Sequence, residues 1–431
     1  MILQQFMSAV VGIFDVVFIG GLGDKFLSGA GQANNVTMLM WCGLFAVGSS
    51  GSIFAAQYWG KNKDLNGVRR AFSATLIFGL IVSIAFWALG FFAGEPIMML
   101  LSKDSGAREV GVLYLRILAF AYPLWGVSSM FSSMLRSIGV TRIPMISSIV
   151  AICINIAMDS VLVFGFLGFP RLGVTAAAMS TVVGAGVELI LNIILTAAKK
   201  VPLRMSKENY AKPDRDLTKK MVKTAIPLLA KDQLWAAGVM VYSICFSSIG
   251  LAESAAYNAY ATLQEIMNVF FNAVGAAGGI LIGHVLGAGD IEKAKNYAWR
   301  LLHIVLLSGL ILGPIFIFLR KFMLMPFFEL SAEALDFASI ALFMSAITIW
   351  AKSINATTMN GILRAGGDTF GAASIDIGML WVFGVPLALV VTYVFHLPFA
   401  YMFGVMIAEE SIKTIFSFIR IRTYKWAKKL V

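Results

Sequence analysis

The sequence predicts an all-α polytopic membrane protein of twelve transmembrane helices arranged as two parallel six-helix repeats, and three observations carry that prediction. The first is composition: of 431 residues 59% are hydrophobic and 13% charged, with a mean hydropathy of +0.84. Apolar runs on this scale cannot be hidden in one water-soluble core. The second is spacing, because apolar runs of about 20 residues, enough to cross a hydrocarbon core of about 30 Å, recur between charged or Gly/Pro-rich breaks. The third is internal repetition. FAVGSSGSIFAAQYWGKNKDLNGVRRA from Phe45 lies over NAVGAAGGILIGHVLGAGDIEKAKNYA from Asn272 at an offset of 227, and LRSIGVT at Leu135 matches LRAGGDT at Leu363 at 228. Two segments in the same order at nearly one offset argue for duplication. Six spans per copy is even, so the copies face the same way, related by an axis along the membrane normal.

Taken in order, the spans fall at approximately 1–20, 29–58, 70–94, 108–135, 141–166, 173–198, 224–249, 254–287, 297–319, 336–363, 370–394 and 397–420. The first is short. Gln4 and Gln5 lie near its start, and its repeat partner opens with Pro227, so a proline-containing turn is expected upstream of Met1. Between the sixth and seventh spans, 199–223 holds nine Lys/Arg and three acids and reads as a solvated linker. The organisation expected is a first lobe at 1–198, a basic cytoplasmic linker at 199–223, a second lobe at 224–420 and a basic cytoplasmic tail at 421–431. With the linker cytoplasmic, loops on its side carry 24 Lys/Arg against 6 opposite, the positive-inside bias of a cell membrane protein with both termini cytoplasmic. The net charge of +11 is thereby explained without nucleic acid.

Charge inside an apolar span costs roughly 2.5–3.5 kcal/mol on insertion scales, so polar residues there need a partner or a purpose. The fifth span carries Asn155 and Asp159, four residues apart and so on one helical face. Asp15 in the first span and Thr181 in the sixth add a carboxylate and a hydroxyl. At the repeat offset Asp15 falls on Tyr242, Asn155 on Phe383, and Asp159 on Pro386 or Leu387, so this inventory belongs to the first half alone. An all-oxygen set suits a hard monovalent cation, sodium for example, or protons. The plainer alternative is that Asn155 and Asp159 hydrogen-bond a neighbouring helix and glue the bundle. In the second half, Glu409 and Lys413 read as an i,i+4 pair, and Lys231 with Asp232, early in the seventh span, as a mutual pair or a snorkelling lysine beside an acid. Glu265, mid-span without a local partner, is the candidate substrate contact; Asp376, Glu188, Arg116 and Lys352 rank below it.

Cys42, Cys153 and Cys245 lie far apart inside apolar runs and form no disulfide or metal pattern. No GxxxxGK[ST] loop, HExxH helix or catalytic triad occurs, which argues against a nucleotide-driven pump and against an enzyme.

FDVVFIGGLGD in the first span, AAQYWGKNKD after the second, MLRSIGVTRIPM before the fifth, INIAMDSVLVFG within it, LGVTAAAMST opening the sixth and ILRAGGDT in the second half resemble the multidrug and toxic compound extrusion (MATE) transporters along the whole chain. The resemblance implies two six-helix lobes around a central cavity, exporting amphipathic, often cationic compounds in exchange for inward sodium or protons, without a cofactor. It maps Asp15, Asn155, Asp159 and Thr181 onto a first-lobe cation site. The glutamate that some members carry in the seventh span is absent from IPLLAKDQLWAAG. The expected partners are small-molecule substrates and the lipid bilayer, with a monomeric protein. Alternatives are a flippase for a lipid-linked carrier, a passive channel or a membrane-embedded binding protein.

Overall fold

A computed structural model describes residues 24–101, 104–163, 165, 171–203, 212, 214–327 and 330–431. Its regular elements are all helical. They run α1 Asp24–Gly60, α2 Leu65–Phe92, the short α3 Gly94–Leu101, α4 Ser105–Leu118, α5 Ala121–Ser137, α6 Arg142–Leu162 and α7 Val174–Ala198. After the polar segment come α8 Arg215–Ile249, α9 Leu251–Ala288, α10 Ile291–Leu324, α11 Ala332–Thr357, α12 Thr369–Gly378, α13 Val385–Leu389 and α14 Phe399–Arg422. Among the described residues eight helices are long and apolar enough to cross a membrane, and α4 with α5, bent by 48° at a short break, makes a ninth. Helices α8 and α14 have spanning length but carry charges along them, Lys231 and Asp232 in one and Glu409, Glu410 and Lys413 in the other. The first predicted span, with Asp15, lies outside the described residues.

The chain divides into two compact units, essentially 3–225 and 226–431. The boundary falls inside α8, beside Pro227. Because α8 begins at Arg215, the end of the segment read as a solvated linker is helical. Asp216 in its first turn complements the helix dipole, and the Ser50 hydroxyl donates to the Met221 carbonyl at 2.7 Å. The basic tail also differs from a free extension. Trp426 is fully buried and its indole donates to the Ile421 carbonyl at 3.1 Å.

Duplication is visible in the caps and crossings. Asp104 accepts from the Ala107 amide at 2.6 Å to start α4, and Ser331 accepts from the Ala334 amide at 3.2 Å to start α11, at the repeat offset of 227. A Cβ on Gly48 of α1 would meet Ser133 of α5 at 3.2 Å, and one on Gly51 would meet Thr75 of α2. The repeat partners Gly275 and Gly278 of α9 face Thr357 of α11 and Leu301 of α10 in the same way. Absent side chains at matched positions thus seat matched neighbours, as small residues do where membrane helices cross.

Helix α11 passes through a π-helical turn at Thr358–Leu363, and α13 is flanked by two more at Met379–Gly384 and Val390–Val394. Pro386 lacks the amide hydrogen that would bond back to the preceding turn, which accounts for the widening before it. At the first π turn Gly361 touches α9 backbone to backbone, since a Cβ there would sit 2.6 Å from the Gly275 carbonyl oxygen. Gly361→Ala is therefore expected to destabilise the second unit by about 1–3 kcal/mol through overpacking. Gly378→Ala, with nothing within 4 Å of its new Cβ, should be silent. Thermal melting of the detergent-solubilised variants, followed by size-exclusion fluorescence, checks the pair, and equal melting of both would contradict this packing.

Candidate functional site

Three helices of the first unit carry polar residues at helical spacing on the face each turns to the others. On α5 these are Ser128, Ser132 and Arg136; on α6, Ser148, Asn155 and Asp159; on α7, Ser180, Thr181, Glu188 and Asn192. Asn192 donates its amide to Ser128 at 3.0 Å and Ser132 at 3.2 Å, tying α7 to α5. Asp159 is 1% exposed and accepts a short hydrogen bond from the Ser180 hydroxyl. The Asn155 amide nitrogen faces the Ser180 and Thr181 hydroxyls at 3.3 and 3.4 Å. Thr181 in turn donates to the Ala177 carbonyl at 2.8 Å, which leaves its oxygen free to accept.

The amide therefore points nitrogen-first at the hydroxyls. Its oxygen, Oδ1, is buried without a hydrogen-bond partner among the described residues. An orphaned carbonyl oxygen close to a buried carboxylate is a place for a cation or a proton donor, since burying an acceptor unpaired costs about 1–3 kcal/mol. Carboxylate, amide and hydroxyl oxygens fit sodium, and among the described residues no three His, Cys, Asp or Glu side chains gather as a transition-metal set would. Asn155, Asp159 and Thr181 are thus brought together, and Ser180 joins them. Its place beside Thr181, two residues after a run of three alanines, was the available signal. Asp15 lies outside the described residues.

Asn155 and Thr181 also belong to the wall of a cavity of about 510 Å³ within this unit. Trp41 and Trp125, their rings 5.3 Å apart, form an apolar side, and Arg136 and Glu188 line it as well.

In the second unit Glu265 is exposed on α9, and the buried polar cluster forms next to it around Gln264. The Gln264 side-chain oxygen accepts from Lys352 Nζ at 3.0 Å and Ser345 at 2.8 Å, while Lys352 also donates to the Tyr260 hydroxyl at 2.7 Å. The Glu409–Lys413 pair expected from sequence exists, Lys231 takes the pairing alternative with Asp232, and Asp376 joins both. Lys413, buried, reaches Asp376 at 3.0 Å, Glu409 at 2.9 Å and Glu410 at 3.2 Å. Lys231 pairs with Asp232 at 3.0 Å and approaches Asp376 at 3.6 Å. Tyr242 donates to Glu409 at 2.8 Å, and the Asn355 amide to Glu410 at 2.8 Å. Helices α8, α11, α12 and α14 are thus stitched by one charged network whose long-range members no sequence spacing connects.

A twice-built bundle of membrane-crossing helices, with buried polar side chains walling a cavity of about 510 Å³, has the form of a membrane transport protein. The chain belongs to the MatE family, whose profile matches residues 1–161 and 227–402, and members of that family are transporters rather than enzymes. It is 24% identical over 425 residues to an uncharacterized transporter, YisQ, of Bacillus subtilis, covering 97% of this chain and 91% of that one. A probable multidrug resistance protein, NorM, of Thermotoga maritima is 23% identical over 432 residues, covering 99% and 91%. A solved structure of the outward-facing conformation of a multidrug resistance MATE family transporter shares the fold with a TM-score of 0.89 at 16% identity, covering 99% of this chain and 94% of that one. The architecture of such transporters is twelve helices in two lobes.

The charged network yields a prediction. Replacing Lys413 by Met leaves three carboxylates without their shared cation, and breaking a buried ion pair from one side typically costs about 3–5 kcal/mol. Folded yield and melting temperature should fall sharply for Lys413→Met and far less for Lys413→Arg. Unchanged melting of the Met variant would show that the network does not hold α14.

Proposed function

We propose that this chain is a secondary active antiporter that exports amphipathic, cationic organic compounds, driven by inward sodium or protons bound at Asp159, Asn155, Ser180 and Thr181, with Asp15 completing the set. The observation that carries the reading is the orphaned Asn155 Oδ1 near the buried Asp159 carboxylate, at the wall of a cavity of ligand size. Relatives named as multidrug resistance proteins support the export of drug-like compounds. Coupling in this scheme is differential affinity: the ion binds one arrangement of the helices better than the other, and substrate is released in the alternate one. No cofactor takes part.

The same reading takes 1–198 and 224–420 as the two working lobes of a monomer in the cell membrane, with 199–223, 421–431 and both chain ends on the cytoplasmic side, where 24 of the loop Lys/Arg residues then lie. Glu265, exposed on α9, is the second-lobe substrate contact.

Purified protein in liposomes, loaded with a cationic dye and given a sodium or a proton gradient separately, tests the function and names the ion. Asp159→Asn should abolish gradient-driven dye movement while the protein still inserts and melts as before, and Asp15→Asn should do the same. Normal export by either variant under both gradients rules out the coupling site. Orientation is checked by impermeant thiol labelling of whole cells: cysteine replacing Lys428 should be protected and cysteine replacing Lys103 accessible.

A further inference from the structure

We infer that Arg136 and Glu188 form a recognition floor for zwitterionic compounds in the first unit's cavity, the guanidinium taking a carboxylate and the Glu188 carboxylate an ammonium. This rests on the antiport reading for its direction of transport, but the binding claim stands on geometry. Both residues line the cavity, whose volume of about 510 Å³ suits a drug-sized ligand. They interact electrostatically, yet no ion pair joins them, so their charged atoms lie more than 4.0 Å apart. Among the described residues nothing accepts a hydrogen bond from the Arg136 side chain, although it is half-buried between helices. Glu188 is oriented by the Ser148 hydroxyl, which donates to Oε1 at 2.9 Å.

An arginine held in a cavity with no acceptor for its donors among the described residues is suited to a planar carboxylate, which it can take in two parallel hydrogen bonds. A glutamate beside it refuses a ligand that is only anionic, and the arginine refuses one that is only cationic at this spot. A molecule carrying both charges satisfies both. The Trp41 and Trp125 rings on the cavity wall offer its apolar body a surface. Thr181 and Glu188 are seven residues apart on α7, about 10 Å along the helix, so an occupant of the floor need not displace an ion at Asn155 and Thr181.

The competing role is mutual neutralisation of the two side chains with no ligand involved. A three-probe series on one aromatic scaffold separates them: an amine ester (cationic), the amino acid itself (zwitterionic) and its N-acyl acid (anionic). Binding is read by quenching of intrinsic tryptophan fluorescence in the solubilised protein, and transport by flux in liposomes. Wild type should bind the zwitterion most tightly. Arg136→Gln should weaken the zwitterion about tenfold or more while leaving the ester unchanged or tighter; Glu188→Gln should weaken both amines. Arg136→Gln with Glu188→Gln should lose the zwitterion preference without regaining it. Equal loss for all three probes in Arg136→Gln, a wild-type preference for the ester, or recovery of zwitterion binding in the double variant would overturn the proposal. Failure of wild type to move any probe under either gradient, with the binding pattern intact, would instead count against antiport alone.

Discussion

A charge placed in hydrocarbon has no water to fall back on, and the interior of this protein is arranged around that fact. In the second unit the answer is compensation. Lys413 gathers carboxylates from α12 and α14, Lys231 closes the set from α8, and Tyr242 and Asn355 supply the remaining donors. Every one of these groups would be costly alone, and together they bind four helices at chosen rotations. In the first unit Asp159 accepts from the Ser180 hydroxyl, and the amide oxygen of Asn155, one turn away on the same helix, has no hydrogen-bond partner among the described residues. One half joins its buried charges into a single network, while the other holds a buried acceptor without a hydrogen-bond partner among the described residues.

Much of the fold was legible because its determinants are local. Apolar runs fix the spans, Asp and Ser fix the starts of α4 and α11, and glycines at a constant offset fix the crossings. The grouping of Asn155 with Asp159 was legible for the same reason, as one turn of one helix. Ser180 was less visible: a serine among small residues is common in membrane helices and gains meaning only when α7 lies against α6. The network around Lys413 was legible only in fragments. Neighbours four residues apart could be paired by spacing, but Asp376 arrives from another helix, and only packing reveals it. Glu265 was legible as a mid-span acid, whereas the buried cluster beside it on α9, at Gln264 and Tyr260, depends on Lys352 and Ser345 from another helix and was not.

The two halves also show which features of a duplicated membrane bundle resist change. Caps and close contacts repeat because each helix must start and cross as its counterpart does, whatever chemistry it serves. The partners of interior charges do not repeat, because a buried charge can be compensated from any neighbouring helix. Arg136 and Arg364 illustrate the division: they occupy matched positions in LRSIG and LRAGG, but one faces Glu188 across a cavity and the other interacts with Asp232 of α8.

The burial of Trp426 has a consequence for the order of events during synthesis. Its backbone lies against Gly366, where a Cβ would collide with the Trp426 carbonyl oxygen, and its ring is buried in the same cluster as Leu363 and Ala365 at the turn joining α11 to α12. That turn is translated some sixty residues before the tryptophan that covers it. The second unit must therefore wait, with an open seam on one end, until the segment carrying Trp426 has left the ribosome.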